Sequence, residues 1–203
     1  LMNIQILIEA SHMLGKDRGF WETEKDLREE LLYIFSNVGD VAKSFKKQRR
    51  ADWDSYERDL ITLENDSDVK DLEREKTNIY KNYIKNTFED EIANVILRIT
   101  DLMGGKNIDI ISTHPWVETY QFTELNYFFR NVKPSEDFNG NVAHWLNEAL
   151  AMCMFSSDKD EDYGLSHILF HLGSLIEFYK IDIERQLTKK IEYNRSRPLL
   201  YIS

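Results

Sequence analysis

The amino-acid sequence predicts an all-α protein, and three observations lead to that prediction. Apolar residues recur at helical spacing, as in residues 88–103, where Ile92, Val95, Ile96 and Ile99 would share one helix face. Only 3 prolines interrupt the 203 residues. We find no alternating Val, Ile or Thr runs bounded by Asn-Gly or Asp-Gly turns, which are typical of strands. With 42% hydrophobic residues, the chain can build a substantial core.

In the N-terminal part, a first helix is predicted at about residues 3–15 and a second at about residues 24–47. The turn between them carries Phe20 and Trp21, which fit either a core plug between helices or a stacking surface for a base. The heavily charged segment 46–86 predicts one or two exposed helices around a break. It is a candidate lid or dimer surface.

The helix at 88–103 is predicted to end at Gly104 and Gly105, because glycine takes left-handed backbone angles without a steric penalty. Further helices are predicted at about residues 118–131, 139–155 and 182–195, with an apolar stretch, 165–183, before the last of them.

Charge and composition exclude several classes of function. The net charge of −10 argues against binding a nucleic-acid polymer, which requires cations to displace counterions. Cys153 is the single cysteine, so no disulfide can form within the chain, and a small core residue is expected there. No apolar run approaches the roughly 18 residues of a membrane span. The sequence therefore predicts a cytoplasmic protein with no membrane partner.

Two pairs of polar residues predict a metal site. Glu91 and Asn94 stand three residues apart on one predicted helix, and Asn37 and Asp40 stand three apart on another. Oxygen ligands so placed on two antiparallel helices, 24–47 and 87–103, would enclose a small site for a hard cation such as Mg²⁺. A solvated polar face is the alternative interpretation.

An internal similarity suggests a duplication. Residues 94–110 align without a gap on residues 167–183, which places His167 opposite Asn94. The chain would then consist of residues 1–110, with the metal ligands, and residues 111–203, a degenerate repeat retained for packing. Amphipathic helices also resemble one another by chance, so both explanations stay open.

Several segments occur together in a recognisable order: Arg18–Trp21, Phe35–Ala42 with Arg49, Phe88–Asp101, the Ile-Asp-Ile endings, and Lys190–Pro198. Taken together, they resemble the MazG-like, all-α nucleoside triphosphate pyrophosphohydrolases. The resemblance implies an antiparallel helical bundle, which would be an internally duplicated pseudo-dimer if the duplication is real. It also implies conversion of a nucleoside triphosphate to the monophosphate and pyrophosphate with Mg²⁺.

The metal ligands of that family are an E-x-x-E and an E-x-x-D pair, which fall here on Asn37 with Asp40 and on Glu91 with Asn94. Two of four carboxylates are thus replaced by amides, and we expect Mg²⁺ binding to be weak or lost. Glu91 or Glu30 would act on the attacking water.

For the substrate, the resemblance implies binding by Lys190, Tyr193, Asn194 and Arg197, with Trp21 as the stacking residue. The alternative for the last helix is a basic turn that complements the helix dipole. A nucleotide-binding or regulatory relative without catalysis, and a helical protein-interaction module, are the alternatives to a hydrolase. A homo-oligomer is compatible with all three.

Overall fold

The computed structural model describes residues 2–66, 68–109, 117, 120, 123–132, 134, 138–155 and 161–197. Within these residues the fold consists of nine helices and contains no strand, so the predicted all-α class is confirmed. The helices are α1 (Ile4–Asp17), α2 (Leu27–Lys46), α3 (Trp53–Glu64), α4 (Leu72–Tyr83), α5 (Phe88–Lys106), α6 (Leu125–Asn131), α7 (Val142–Phe155), α8 (Glu161–Phe178) and α9 (Ile183–Ser196). None of the helices in the described ranges is long and apolar enough to cross a membrane.

Side-chain caps set the start of most of these helices. A side-chain oxygen of the residue before the helix accepts a backbone N–H of the first turn, and each such cap typically stabilises a helix by about 1 kcal/mol. The capping residues are Asn3 (α1), Asp26 (α2), Asp52 (α3), Asp71 (α4), Thr87 (α5) and Asp182 (α9).

Helix α5 is the centre of the fold. It packs against α1, α2, α8 and α9, and 13 of its 19 residues are buried. Its apolar side chains Ile92, Val95, Ile96 and Ile99 are fully buried, as their spacing predicts. The first turn also buries three acidic residues, Glu89, Asp90 and Glu91, which therefore require partners from other elements.

The prediction that Gly104 and Gly105 end this helix is wrong. The helix continues through both to Lys106 and closes at Asn107, whose φ of 54° is left-handed. A Cβ on Gly104 would lie 2.6 Å from the Cβ of His12, and one on Gly105 would lie 1.9 Å from Cη2 of Trp21. The two glycines therefore permit close packing against α1 and Trp21.

Helices α2 and α5 pack against each other, as predicted. Glu30 near the start of α2 contacts Arg98 in the middle of α5, whereas Asp40 further along α2 lines a cleft with Glu91 in the first turn of α5. The order of contacts is reversed along the two helices, so they run antiparallel.

Helices α7 and α8 pack against each other, α6 packs on α8, and buried residues from both predicted halves form one core. Ile34 and Ile96 come from the first half, and Leu146 and Leu169 from the second. The last helix, α9, returns to pack on α5 and α4. The duplication stays a prediction. Some predictions fall outside the described residues. They concern positions 118, 119, 121 and 122 of the helix predicted at 118–131, and Ile110 and Pro198 of the resemblance motifs.

Segment 46–86 forms two largely exposed helices, α3 and α4, as predicted. They are attached to α9 through a small second core of Tyr56, Tyr80, Ile84 and Tyr193. Cys153 is buried and forms no disulfide, and burial raises its pKa to about 11, which suits the small core residue expected there.

Candidate functional site

Two clefts border the α2–α5 pair, and we call them together the groove of α2 and α5. The first, which we call the Asp40 cleft, is lined by Asp40, Lys43, Ser44, Lys47, Arg49, Asn86 and Glu91. The second, the arginine cleft, is lined by Arg18, Arg98 and Arg197 together with Ser11, Leu14, Gly15, Phe20, Asn37, Asn94, Leu97, Asp101 and Asn194. The four predicted metal ligands are thus divided between the clefts, with the carboxylates in one and the amides in the other.

The two carboxylates of the Asp40 cleft already have partners. Glu91 is 8% exposed, and its Oε2 accepts a hydrogen bond of 2.7 Å from Nδ2 of Asn94. Asp40 is half-exposed, and its Oδ1 lies 3.4 Å from Nζ of Lys43. Burial raises the pKa of the Glu91 carboxyl above its ordinary value, against the lowering effect of the Asn94 hydrogen bond. Negative charge at Asp40 and Asp90 adds to the rise.

The fit to a magnesium ion is partial. Within the described residues, no group of three or more His, Cys, Asp or Glu side chains is placed to hold a metal ion. Asp40 and Glu91 line one cleft and offer two hard oxygen ligands, which suits one Mg²⁺ ion that brings phosphate oxygens as its other ligands. Lys43 beside Asp40 opposes any further cation.

The arginine cleft collects positive charge in an acidic protein. Arg18 is 9% exposed, and its Nη1 donates to the backbone oxygen of Asn194 at 2.6 Å. Burial and the nearby charge of Arg197 lower the pKa of the Arg18 guanidinium. Arg98 donates through Nη2 to Glu30 at 2.9 Å and lies over the Tyr33 ring.

Glu30, the second catalytic candidate, lies away from the other one. Its carboxylate contacts Nζ of Lys25 at 3.4 Å and Nη2 of Arg98 at 2.9 Å. Ten residues separate it from Asp40 on α2, which is about 15 Å along the helix axis. In this position Glu30 orients Arg98 at the rim of the arginine cleft, and the structure does not bring it to Glu91.

The substrate-binding candidates on α9 are also divided. Asn194 and Arg197 line the arginine cleft, as a role in binding requires. Lys190 is 4% exposed, and its Nζ contacts both carboxylate oxygens of Asp90, at 2.9 and 2.8 Å. Tyr80 donates to the same carboxylate. The amine of Lys190 is therefore held in the interior, and the structure does not bring it to Arg197.

Tyr193 lines a third cleft, between α9 and the α3–α4 pair. Its ring is 5% exposed and stacks on Tyr80, with ring centres 4.5 Å apart and an angle of 15°. Tyr56 lines the same cleft, and burial raises its pKa to about 12. In this structure Tyr193 attaches the α3–α4 pair to α9.

Trp21 is partly buried and packs against the main hydrophobic core, as the interpretation of a core plug between helices expects. Its Nε1 donates to Oδ1 of Asp101 at 2.7 Å, its ring meets His12 edge-on, and its edge rests against Gly105. Phe20, its neighbour, lines the arginine cleft instead.

The sequence interpretation missed Arg18 and Arg98 as cleft residues. Arg98 belongs to the polar row of α5, at helical spacing from Glu91 and Asn94, so the spacing could have found it. Arg18 stands in the turn before Phe20, and no periodicity applies there. Its contact to Asn194 spans 176 positions of the sequence.

Comparison of the chain with protein-family models, with curated proteins and with solved structures finds no match. The resemblance to MazG-like pyrophosphohydrolases therefore stays a prediction that depends on the residues quoted above.

Proposed function

We propose that this chain is a MazG-like nucleotide pyrophosphohydrolase, located in the cytoplasm, that binds a nucleoside triphosphate in the groove of α2 and α5. One observation carries the proposal: the groove combines two acidic side chains, Asp40 and Glu91, with a cleft of three arginines. Hydrolysis of a triphosphate requires this combination, because cations hold the phosphate oxygens and carboxylates hold the metal and activate water.

In the proposed reaction the arginine cleft binds phosphate, and the Asp40 cleft holds the metal ion and activates water. Arg18, Arg98 and Arg197 bind phosphate oxygens, and Asp40 and Glu91 would hold one Mg²⁺ ion. Bound Mg²⁺ supplies charge neutralisation for the departing pyrophosphate. The carboxylate of Glu91 takes a proton from the water that attacks the α-phosphorus, and the bond from that phosphorus to the bridging oxygen breaks. The raised pKa of Glu91 suits a proton acceptor.

The test is pyrophosphate release from each common nucleoside triphosphate with Mg²⁺. Glu91→Gln and Asp40→Asn should each lower the rate by about 100-fold or more, in the range of a lost acid–base group. Glu9→Gln is the matched control, because Glu9 is exposed on α1 and lines neither cleft. If the wild type releases no pyrophosphate, or if Glu9→Gln is equally impaired, hydrolysis in this groove is excluded.

A nucleotide-binding relative without catalysis is the second candidate, and two contacts favour it. Lys43 lies against Asp40, and Asn94 donates to Glu91, so both carboxylates are partly neutralised without a metal. Such a protein would bind the nucleotide and raise its own melting temperature, yet release no pyrophosphate. The binding and release measurements together distinguish the two candidates.

A further inference from the structure

The arginine cleft has more positive than negative charge among its described lining residues. Three guanidinium groups face one carboxylate, that of Asp101. Asp101 is already engaged on the α1 side, where its Oδ1 accepts from Trp21 Nε1 at 2.7 Å and lies 3.3 Å from His12 Nδ1. The protein as a whole has a net charge of −10, so this local excess is not a consequence of composition.

The guanidinium group of Arg98 leaves hydrogen-bonding capacity for a ligand. Nε of Arg98 is buried and has no hydrogen-bond partner within the described residues, which is an unfavourable state for a charged donor. Burial first, and then repulsion by the nearby charge of Arg197, lower the pKa of the Arg18 guanidinium. An anion between these groups would accept from the free donor and relieve the repulsion.

Two neutral amides line the arginine cleft, so a phosphate group can bind there without a metal ion. Asn37 and Asn94 line the arginine cleft, and both stand where the resembled family has carboxylates. A carboxylate there would repel a phosphate unless a cation lay between them, whereas a neutral amide does not.

We infer that the arginine cleft binds the phosphate chain of the nucleotide by direct contact with Arg18, Arg98 and Arg197, so that binding requires no metal ion. This inference rests on the proposed function and specifies how its ligand is recognised. The guanidinium fork matches phosphate oxygens in geometry, and it supplies the positive charge that Mg²⁺ provides elsewhere. Mg²⁺ at Asp40 and Glu91 is then needed for hydrolysis alone.

The experiment measures calorimetric binding of a non-hydrolysable nucleoside triphosphate and of inorganic triphosphate, each with excess EDTA and with Mg²⁺. Wild-type affinity for the nucleotide should differ by less than about threefold between the two conditions. Arg98→Gln and Arg197→Gln should each weaken binding in EDTA by about tenfold or more, the effect of one lost charge-assisted contact. Inorganic triphosphate should follow the same pattern, since the cleft recognises phosphate.

Arg195→Gln is the matched control, because it removes the same charge from the same helix at an exposed position outside the cleft. It should leave the affinity within about twofold of wild type. Arg197 is exposed directly after α9, so its replacement should leave the fold intact, and circular dichroism of the variant checks this. Binding that requires Mg²⁺, or that Arg195→Gln weakens equally, would overturn the inference while the proposed function stands. Absence of nucleotide binding with and without Mg²⁺ would overturn both.

Discussion

At the scale of the residue, Lys190 and Asp90 form a buried ion pair that joins α9 to the first turn of α5. Lys190 is 4% exposed and Asp90 is fully buried. Removing one partner leaves the other charge buried and unpaired, which typically costs about 3–5 kcal/mol. Lys190→Met should therefore lower the free energy of unfolding by roughly that amount, measured by urea denaturation.

The double variant Asp90→Asn/Lys190→Met separates charge from packing. Tyr80 and the backbone N–H of Asn86 donate to different oxygens of Asp90, and asparagine keeps one acceptor oxygen for one of these two donors. This variant should recover part of the lost stability, because no uncompensated charge remains. A double variant less stable than Lys190→Met would contradict the ion-pair explanation.

The ionised carboxylate of Glu91 should lower the stability of the folded protein at neutral pH, although the proposed hydrolysis requires it. Its pKa is raised in the folded protein by burial first. Between the ordinary carboxyl pKa and the raised value, the folded state binds more protons than the unfolded state, so this group makes stability fall as the pH rises through that window. Glu91→Gln removes this titration and should raise the free energy of unfolding at neutral pH while abolishing hydrolysis.

The measurement compares urea denaturation of wild type and Glu91→Gln at about pH 4, below the ordinary glutamate pKa, and at about pH 8. The stabilisation by Glu91→Gln should be larger at the higher pH. Equal stabilisation at both pH values would show that ionised Glu91 carries no penalty in the folded protein.

At the scale of the element, the C-terminal end of α5 lies in close contact with the ring of Trp21. A Cβ on Gly105 would overlap the Trp21 ring, so Gly105→Ala should lower the free energy of unfolding by about 1–3 kcal/mol, as overpacking does. Gly39→Ala is the matched comparison, because Gly39 is an exposed glycine inside α2 with nothing within 4 Å of a new Cβ. It should stabilise the protein by about 0.5–1 kcal/mol. Thermal and urea denaturation of both variants test the contrast, and equal effects would contradict it.

The α2–α5 pair also predicts how a stronger metal site could be restored. Asn37→Glu with Asn94→Asp would add two carboxylates along the groove, and the second change replaces the amide that donates to Glu91. Without metal the new carboxylate at position 94 repels Glu91, so the variant should be less stable; with Mg²⁺ this loss should reverse. Calorimetry should show Mg²⁺ affinity at least about tenfold above wild type.

The control for this variant is Asn78→Asp with Asn131→Glu, which adds the same charge on α4 and α6, away from the groove. It should leave Mg²⁺ affinity unchanged. Equal Mg²⁺ affinity in wild type and the restored variant would show that Asn37 and Asn94 do not stand at metal-ligand positions.

At the scale of the whole molecule, the sequence predicts which face of a helix is buried better than it predicts which distant residue that face contacts. Periodicity identified the apolar stripe of α5 and its polar row, because both follow from 3.6 residues per turn. It could not show that Lys190 meets Asp90, 100 positions away, since the contact depends on how α9 returns across α5. For the same reason, periodicity could not show that Asn37 and Asn94 line the arginine cleft rather than the cleft of Asp40.

The most direct test of nucleotide binding in this groove is a crystal structure of the protein with a non-hydrolysable nucleoside triphosphate and Mg²⁺. We expect the phosphate chain in the arginine cleft, with oxygens within hydrogen-bonding distance of Arg98 and Arg197, and one metal ion between Asp40 and Glu91. A nucleotide bound in the cleft of Tyr193, or a groove without nucleotide at saturating concentration, would contradict the proposed function.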